Sequence, residues 1–248
     1  MSTIYILWLR QLKRYFRSRA RMIGSLGQPI LFLVALGFGL GPIYEKAGGG
    51  NYISFLAPGI IGMSILFTAM FSGIEVIWDR QFGFLKETLV APVSRFSIMF
   101  GRTLGGATVA MLQGCIVFLI SFAIGFRPMS VATLPLAFVF MFLIAFLFTA
   151  LGTAIASRLE DMQGFQLIMN FVIMPIFFLS GALFPLQGLS RTMSIIASLN
   201  PLSYDIDGLR GVFIGVSHFG MPLDLGVLSV ITLAFLILGS FLFSKIQI

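Results

Sequence analysis

Residues 134–156 read LPLAFVFMFLIAFLFTALGTAIA, an unbroken run without one charged side chain. A helix rises about 1.5 Å per residue, so this run is long enough to cross the roughly 30 Å hydrocarbon core of a bilayer. In hydrocarbon every backbone N–H and C=O must be satisfied within the segment, which makes helix the default. Comparable runs lie at about 22–43, 53–77, 96–125, 165–186 and 224–244; with 132–156 they make six candidate spans. Pro29 and Pro175 fall inside the first and fifth, where a missing N–H predicts a kink or local irregularity.

The rest of the chain agrees. Of 248 residues, 58% are hydrophobic and only 10% are charged, against about 25% charged in soluble domains. A soluble body has to cover its core with polar side chains, and too few are present. The expected fold class is an all-α membrane protein, a single transmembrane domain over residues 1–248 with no linker and no internal repeat. Cys115 stands alone, which excludes an intrachain disulfide, and its apolar surroundings suit a small packing residue.

The net charge of +7 has a positional meaning. With the N-terminus in the cytoplasm, the inner loops receive Arg10, Lys13, Arg14, Arg17, Arg19, Arg21, Arg80, Lys86, Arg95, Arg102, Arg158 and Lys245. The outer loops receive Lys46, Arg127, Arg191 and Arg210. The positive-inside rule selects this arrangement, with both termini cytoplasmic in a plasma (inner) membrane. Because the basic residues flank apolar spans, they read as anchors for anionic headgroups and not as a nucleic-acid surface. Over residues 3–21, Arg10, Lys13, Arg14, Arg17 and Arg21 share one helical face, while Ile4, Trp8, Leu12, Tyr15 and Phe16 share the other. That pattern predicts an amphipathic helix in the membrane interface, as an anchor or as a contact for a partner.

Catalysis fails on inventory. The single histidine, His218, excludes an H-E-x-x-H zinc site, and no Cys/His cluster or G-x-S-x-G elbow occurs. No catalytic, cofactor-binding or metal residue is assigned. Asp205 and Asp207 lie two apart in one predicted loop, not on facing spans. None of the four lysines follows a glycine, so no phosphate cradle of the G-x-x-x-x-G-K-[ST] type exists. Mid-membrane ionisable residues, the mark of ion coupling, are nearly absent: Glu75 is near the end of one span and Arg102 is placed to snorkel from another.

Two connecting stretches are unusual. Trp78–Arg95 is too long for a turn and too apolar for a solvated loop; Pro92 should end a short helix, and Ser94 is placed to cap the next span. A short helix there suits either the lipid surface or a groove on a soluble partner. The second, LNPLSYDIDGLRGVFIG over 199–215, has Asn200 as N-cap, Pro201 at the first helical position, an Asp207/Arg210 pair at i, i+3, and Gly211 or Gly215 as a stop. It reads as a short amphipathic helix, either a structural lid or a gate. The spacings Gly101-x-x-x-Gly105 and Gly211-x-x-x-Gly215 would allow close helix approach.

In order and spacing, the stretches Phe84-Leu85-Lys86-Glu87-x-Leu89-x-Ala91-Pro92-Val93-Ser94-Arg95 and Asn200-Pro201-Leu202-Ser203-Tyr204-x-x-Asp207-Gly208-Leu209-Arg210 resemble the permeases of type-2 ATP-binding-cassette (ABC) exporters. The drug-export, daunorubicin-resistance-like branch is the nearest. The resemblance implies six spans, a cytoplasmic coupling helix that docks on an ATPase, and external re-entrant helices carrying Asn200, Pro201, Tyr204, Asp207 and Arg210. It makes Phe84, Leu85, Lys86, Glu87, Leu89, Pro92, Ser94 and Arg95 the coupling candidates. It also implies a homodimer whose pathway is lined from the second and fifth spans, by Met63, Phe67, Met70, Phe71, Asn170, Met174, Phe177 and Phe178. ATP and Mg would be bound by the partner ATPase and not by this chain. The expected function is export of a lipophilic or amphipathic drug or lipid. The alternatives are a polysaccharide or glycolipid permease of the same family, and an ATP-independent carrier or channel.

Overall fold

A computed structural model describes residues 2–84, 88, 90 and 92–245. The helices are α1 (Thr3–Arg17), α2 (Arg19–Lys46), α3 (Tyr52–Ser72), α4 (Ile74–Gln81), α5 (Arg95–Ile124), α6 (Leu134–Arg158), α7 (Met162–Ile168), α8 (Met174–Phe178), α9 (Arg191–Leu199), α10 (Pro201–Ile214) and α11 (Met221–Ser244). Among the described residues there is no strand. Five helical runs are long and apolar enough to cross a bilayer: α2, α3 with α4, α5, α6 and α11.

The fifth expected span differs from its reading. Helix covers Met162–Phe178 rather than 165–186, and it is interrupted at Met169–Ile173 by a π-turn. The proline at 175 explains the irregularity: it donates nothing backward and its ring crowds the carbonyl four residues earlier, so the ladder widens by one residue. Pro29 and Pro42 are accommodated inside α2, which the secondary structure records as one continuous helix.

Burial sorts the spans by role. About 78% of the most apolar window of the α3–α4 run is buried, against 17% for α2 and for α11, so α3 is the axis and the other two leave most of their surface uncovered by this chain. Glycines mark two close helix approaches, one onto the axis and one between α5 and α1. A Cβ on Gly152 of α6 would stand 2.7 Å from the Met70 carbonyl oxygen of α3. A Cβ on Gly105 of α5 would stand 2.6 Å from Gln11 Cγ of α1, and one on Gly101 would stand 3.0 Å from Ile4 Cα. The 101/105 spacing is therefore a seat for α1, which packs on α5 through Leu7, Gln11 and Tyr15. The Trp8 indole N–H donates to Thr108 Oγ1 at 3.0 Å, and the Tyr15 hydroxyl donates to Gln113 Oε1 at 2.7 Å. Leu7 and Gln11 lie between the two faces expected from the sequence, and the helix breaks at Ser18 instead of continuing to residue 21. Because Gly105 has no room for a side chain, Gly105→Leu is expected to cost about 1–3 kcal/mol through overpacking; a thermal melt of the purified chain in nanodiscs reads it.

Candidate functional site

The end of the bundle that carries α1 holds a compact charge cluster. Asp79, near the end of α4, accepts from Arg10 of α1 at 2.9 and 3.1 Å and from Arg102 of α5. Glu75, one turn earlier, accepts from Arg21 of α2 at 2.8 Å and lies 3.6 Å from Arg14 of α1. Asp79, Glu75 and Arg102 are each at most 5% exposed. Four guanidinium groups thus surround two buried carboxylates and tie α1, α2, α4 and α5 into one unit. Arg102 does not snorkel to the interface as its position near a span end suggested; the Asp79 carboxylate provides an ion pair inside the protein instead.

The same end anchors the connections between spans. Arg80 donates to the carbonyls of Ser157 at 2.7 Å and Leu159 at 2.9 Å, closing the open C-terminus of α6. Arg10, besides holding Asp79, lies 3.8 Å over the ring of Phe84. Of the coupling candidates, Phe84 is therefore fixed against α1, and Thr88 Oγ1 donates to its carbonyl at 2.9 Å. Pro92 is exposed, Ser94 caps α5 by accepting from the Ser97 amide at 3.1 Å, and Arg95 opens that helix. Leu85, Lys86, Glu87 and Leu89 lie outside the described residues.

Beside the cluster is a cavity of about 490 Å³ between α1, α2, α3 and α4. Its polar rim is formed by Tyr15, Arg21, Ser25 and Gln28; its apolar wall by Met63, Phe67, Phe71, Ile74, Trp78 and Met162. Burial pushes the Tyr15 phenol above its ordinary range, so it stays a neutral hydrogen-bonding group on that rim. Of the expected lining residues, Met63, Phe67 and Phe71 face this space. Met70 is fully buried against α6, and Phe177 is buried with its ring 6.2 Å from that of Phe67. Asn170 and Phe178 lie on an exposed face with Phe171, and Met174 is half-buried. The rim residues escaped the sequence reading because they belong to α1 and α2, which only tertiary packing brings alongside α3. The one available signal was Glu75, an acid near a span end with basic residues expected on the same side.

The opposite end is closed by α9 and α10. Asn200 caps α10 by accepting from the Leu202 amide at 3.0 Å while its side-chain amide donates to the Ile176 carbonyl at 2.6 Å. Pro201 takes the first helical position, and Gly215 stops the helix at φ +72°. Tyr204 donates to the Ser198 carbonyl at 2.7 Å. Asp207 and Arg210 do not pair. Arg210 donates to the carbonyls of Phe55 at 3.3 Å and Ala182 at 3.0 Å, and Asp207 holds residues 217–219. Nor is α10 amphipathic in its setting: Leu202–Phe213 is buried throughout. Asp205, Asp207 and Asp224 are consequently inside the protein. Among the described residues no acidic or Cys/His group is arranged to hold a metal.

Comparison with known proteins gives a consistent picture. A family model described as ABC-2 type transporter matches residues 2–214. The putative transport permease ycf38 of Cyanophora paradoxa is 28% identical over 99% of this chain and 89% of its own length. The ycf38 permease of Porphyra purpurea is 31% identical over 86% of this chain and 74% of its own length. Nodulation protein J of Rhizobium leguminosarum bv. trifolii is 30% identical over 85% and 78%, respectively.

Proposed function

The chain belongs to the ABC-2 type transporter family and is a multi-pass transport permease, and from that premise we propose that it exports a lipophilic or amphipathic molecule, driven by an ATPase on a separate polypeptide. The observation that carries the cargo class is the cavity beside α1, whose apolar wall of Met, Phe and Trp meets a rim of arginine, glutamine and hydroxyl groups. Adaptable apolar side chains suit a greasy body, and the rim suits a polar head. ATP and Mg would bind the partner, since this chain has no phosphate cradle.

The charge cluster supplies the transmission. A push on residues 78–95 reaches α4 directly; through Asp79 and Glu75 it reaches α5 and also α1 and α2, which border the cavity. Such a unit moves as a rigid body, the kind of element that alternating access requires. The exposed face with Asn170, Phe171 and Phe178 is where a second copy would complete the pathway, giving a homodimer in a plasma (inner) membrane with both termini cytoplasmic.

Co-purification with the cognate ATPase tests the reading. Phe84→Ala and Glu87→Arg together are expected to abolish assembly or ATP-driven export in proteoliposomes; if both survive, residues 84–95 are not the docking segment. A glycolipid cargo is the second reading, favoured by Tyr15 and Trp78 on the cavity surface, since aromatic faces can stack on sugar rings. Competition between an alkyl glycoside and a lipophilic dye for export separates the two.

A further inference from the structure

The cavity between α1, α2, α3 and α4 has more positive charge at its rim than the acids there can balance. Asp79 is shared by Arg10 and Arg102, and Glu75 by Arg14 and Arg21, so each carboxylate leaves one guanidinium charge uncompensated. Arg21 lines the cavity itself, and Arg14 stands 5.1 Å from the ring of Trp78, another lining residue. Lys13, Arg17 and Arg19 are exposed on α1 and α2 and add to the excess. The neighbouring connection does not cancel it. Glu160 and Asp161 precede the lining residue Met162, but they are matched by Arg158 and by Arg80, which reaches the Leu159 carbonyl at 2.9 Å; Asp161 is in addition committed to the Gly164 amide at 2.6 Å.

The polar groups of the cavity are ordered. On α2, Arg21, Ser25 and Gln28 fall at i, i+4 and i+7, one helical face, and all three line the space. On α3, Ser64 and Thr68 are one turn apart and line it too. Ser64 is 3% exposed, and its Oγ has no hydrogen-bond partner among the described residues. A buried hydroxyl left unmade costs free energy that a ligand group at the same place recovers. Arg21 is also incompletely used: Nη1 donates to Glu75 Oε1 at 2.8 Å, and a guanidinium has five N–H donors. Glu75 gives a cation no equivalent foothold. It is 4% exposed, is not part of the cavity wall and lies between Arg14 and Arg21, so a cationic head would have to displace an arginine to reach it.

We propose that the cavity takes an acidic amphiphile, its anionic head on Arg21 within the field of Arg14, its linking group on Ser64, and its chain along Met63, Phe67 and Phe71. This rests on the reading of the cavity as the cargo site and narrows the cargo by charge. An uncompensated positive rim beside an apolar wall focuses the field on an entering anion. A guanidinium then holds a phosphate or carboxylate oxygen through charge-assisted hydrogen bonds, which are about twice as strong as neutral ones.

The test uses the full chain in phosphatidylcholine nanodiscs. Three photoreactive probes share one diazirine-bearing hexadecyl chain and differ only in the head: a phosphate, an alcohol or an amine. Each is supplied at the same mole fraction, and labelling of the peptides that contain Met63, Phe67 and Phe71 is quantified by mass spectrometry. The phosphate should label them about tenfold more than the alcohol, the effect of one hydrogen bond to a charged group, and the amine should label them least. Arg21→Gln should erase that preference while labelling by the alcohol persists. Unlabelled competitors identify the source of the acid: displacement by phosphatidylglycerol marks a bilayer lipid, and displacement by dodecyl phosphate alone marks a single-chain acid. Displacement by neither overturns the proposal. Equal labelling by the three heads, or a preference for the amine, overturns the acidic cargo and leaves the cavity as the cargo site. Labelling by none of them, or labelling that Thr68→Trp does not reduce, overturns the cavity reading as well. The comparison of the three heads on wild type stands even if Arg21→Gln does not fold.

Discussion

Asp79→Asn is expected to lower the stability of the permease by about 3–5 kcal/mol, the usual cost of removing one partner from a buried ion pair. Asparagine retains the shape and one acceptor oxygen, but it leaves the Arg102 guanidinium, 3% exposed, without a countercharge. Arg10 loses its bidentate partner as well, and α1 keeps only the longer Arg14–Glu75 ion pair to α4. Thermal unfolding in nanodiscs should register the first effect. Adding Arg102→Met should recover much of the lost stability, because a buried charge without its partner costs more than an apolar replacement of the pair. Export should not recover in the double variant, since Arg10 remains detached from α4. A single variant that melts with wild type would mean the cluster holds nothing together.

Thr68→Trp should reduce export by at least about tenfold, equivalent to about 1.4 kcal/mol in the transport barrier, while leaving the melting temperature and ATPase assembly close to wild type. Thr68 is half-buried and borders the cavity, so an indole there occupies space that cargo would need without displacing core residues. Phe38→Trp is the control: Phe38 is 59% exposed on α2, and tryptophan is well tolerated on a lipid-facing surface. Wild-type export by Thr68→Trp in proteoliposomes would exclude the cavity from the route and with it the argument for an amphipathic cargo.

Much of the local structure was legible because its causes are local. Ser94 caps α5 and Asn200 with Pro201 opens α10, as hydroxyl, amide and proline chemistry at a helix start predicts. The 101/105 glycine spacing does mark a close helix approach, although its partner, α1, had been assigned to the interface. The fifth span was misjudged by eight residues because apolarity continues to residue 186 while the helix ends at 178. Hydropathy measures preference for lipid, and residues 179–186 satisfy that preference by packing under α10 instead of extending a helix.

The charged residues mark the limit most clearly. Asp207 and Arg210 stand three apart on one helix, the spacing of a surface pair, yet each has a different partner more distant in sequence. In water such a local pair is worth only about 0.2–0.5 kcal/mol, whereas a buried carboxylate or guanidinium must find every donor or acceptor within reach. Composition, span length and the distribution of basic residues determined by themselves that this is a helical membrane protein, since those properties follow from the solvent each segment needs. Which acids face which arginines, where the cavity opens and which carboxyls are buried were decided only by tertiary packing. The reason is that the cost of burying a charge depends on neighbours as far as 155 residues away in the chain, and no single segment carries that information.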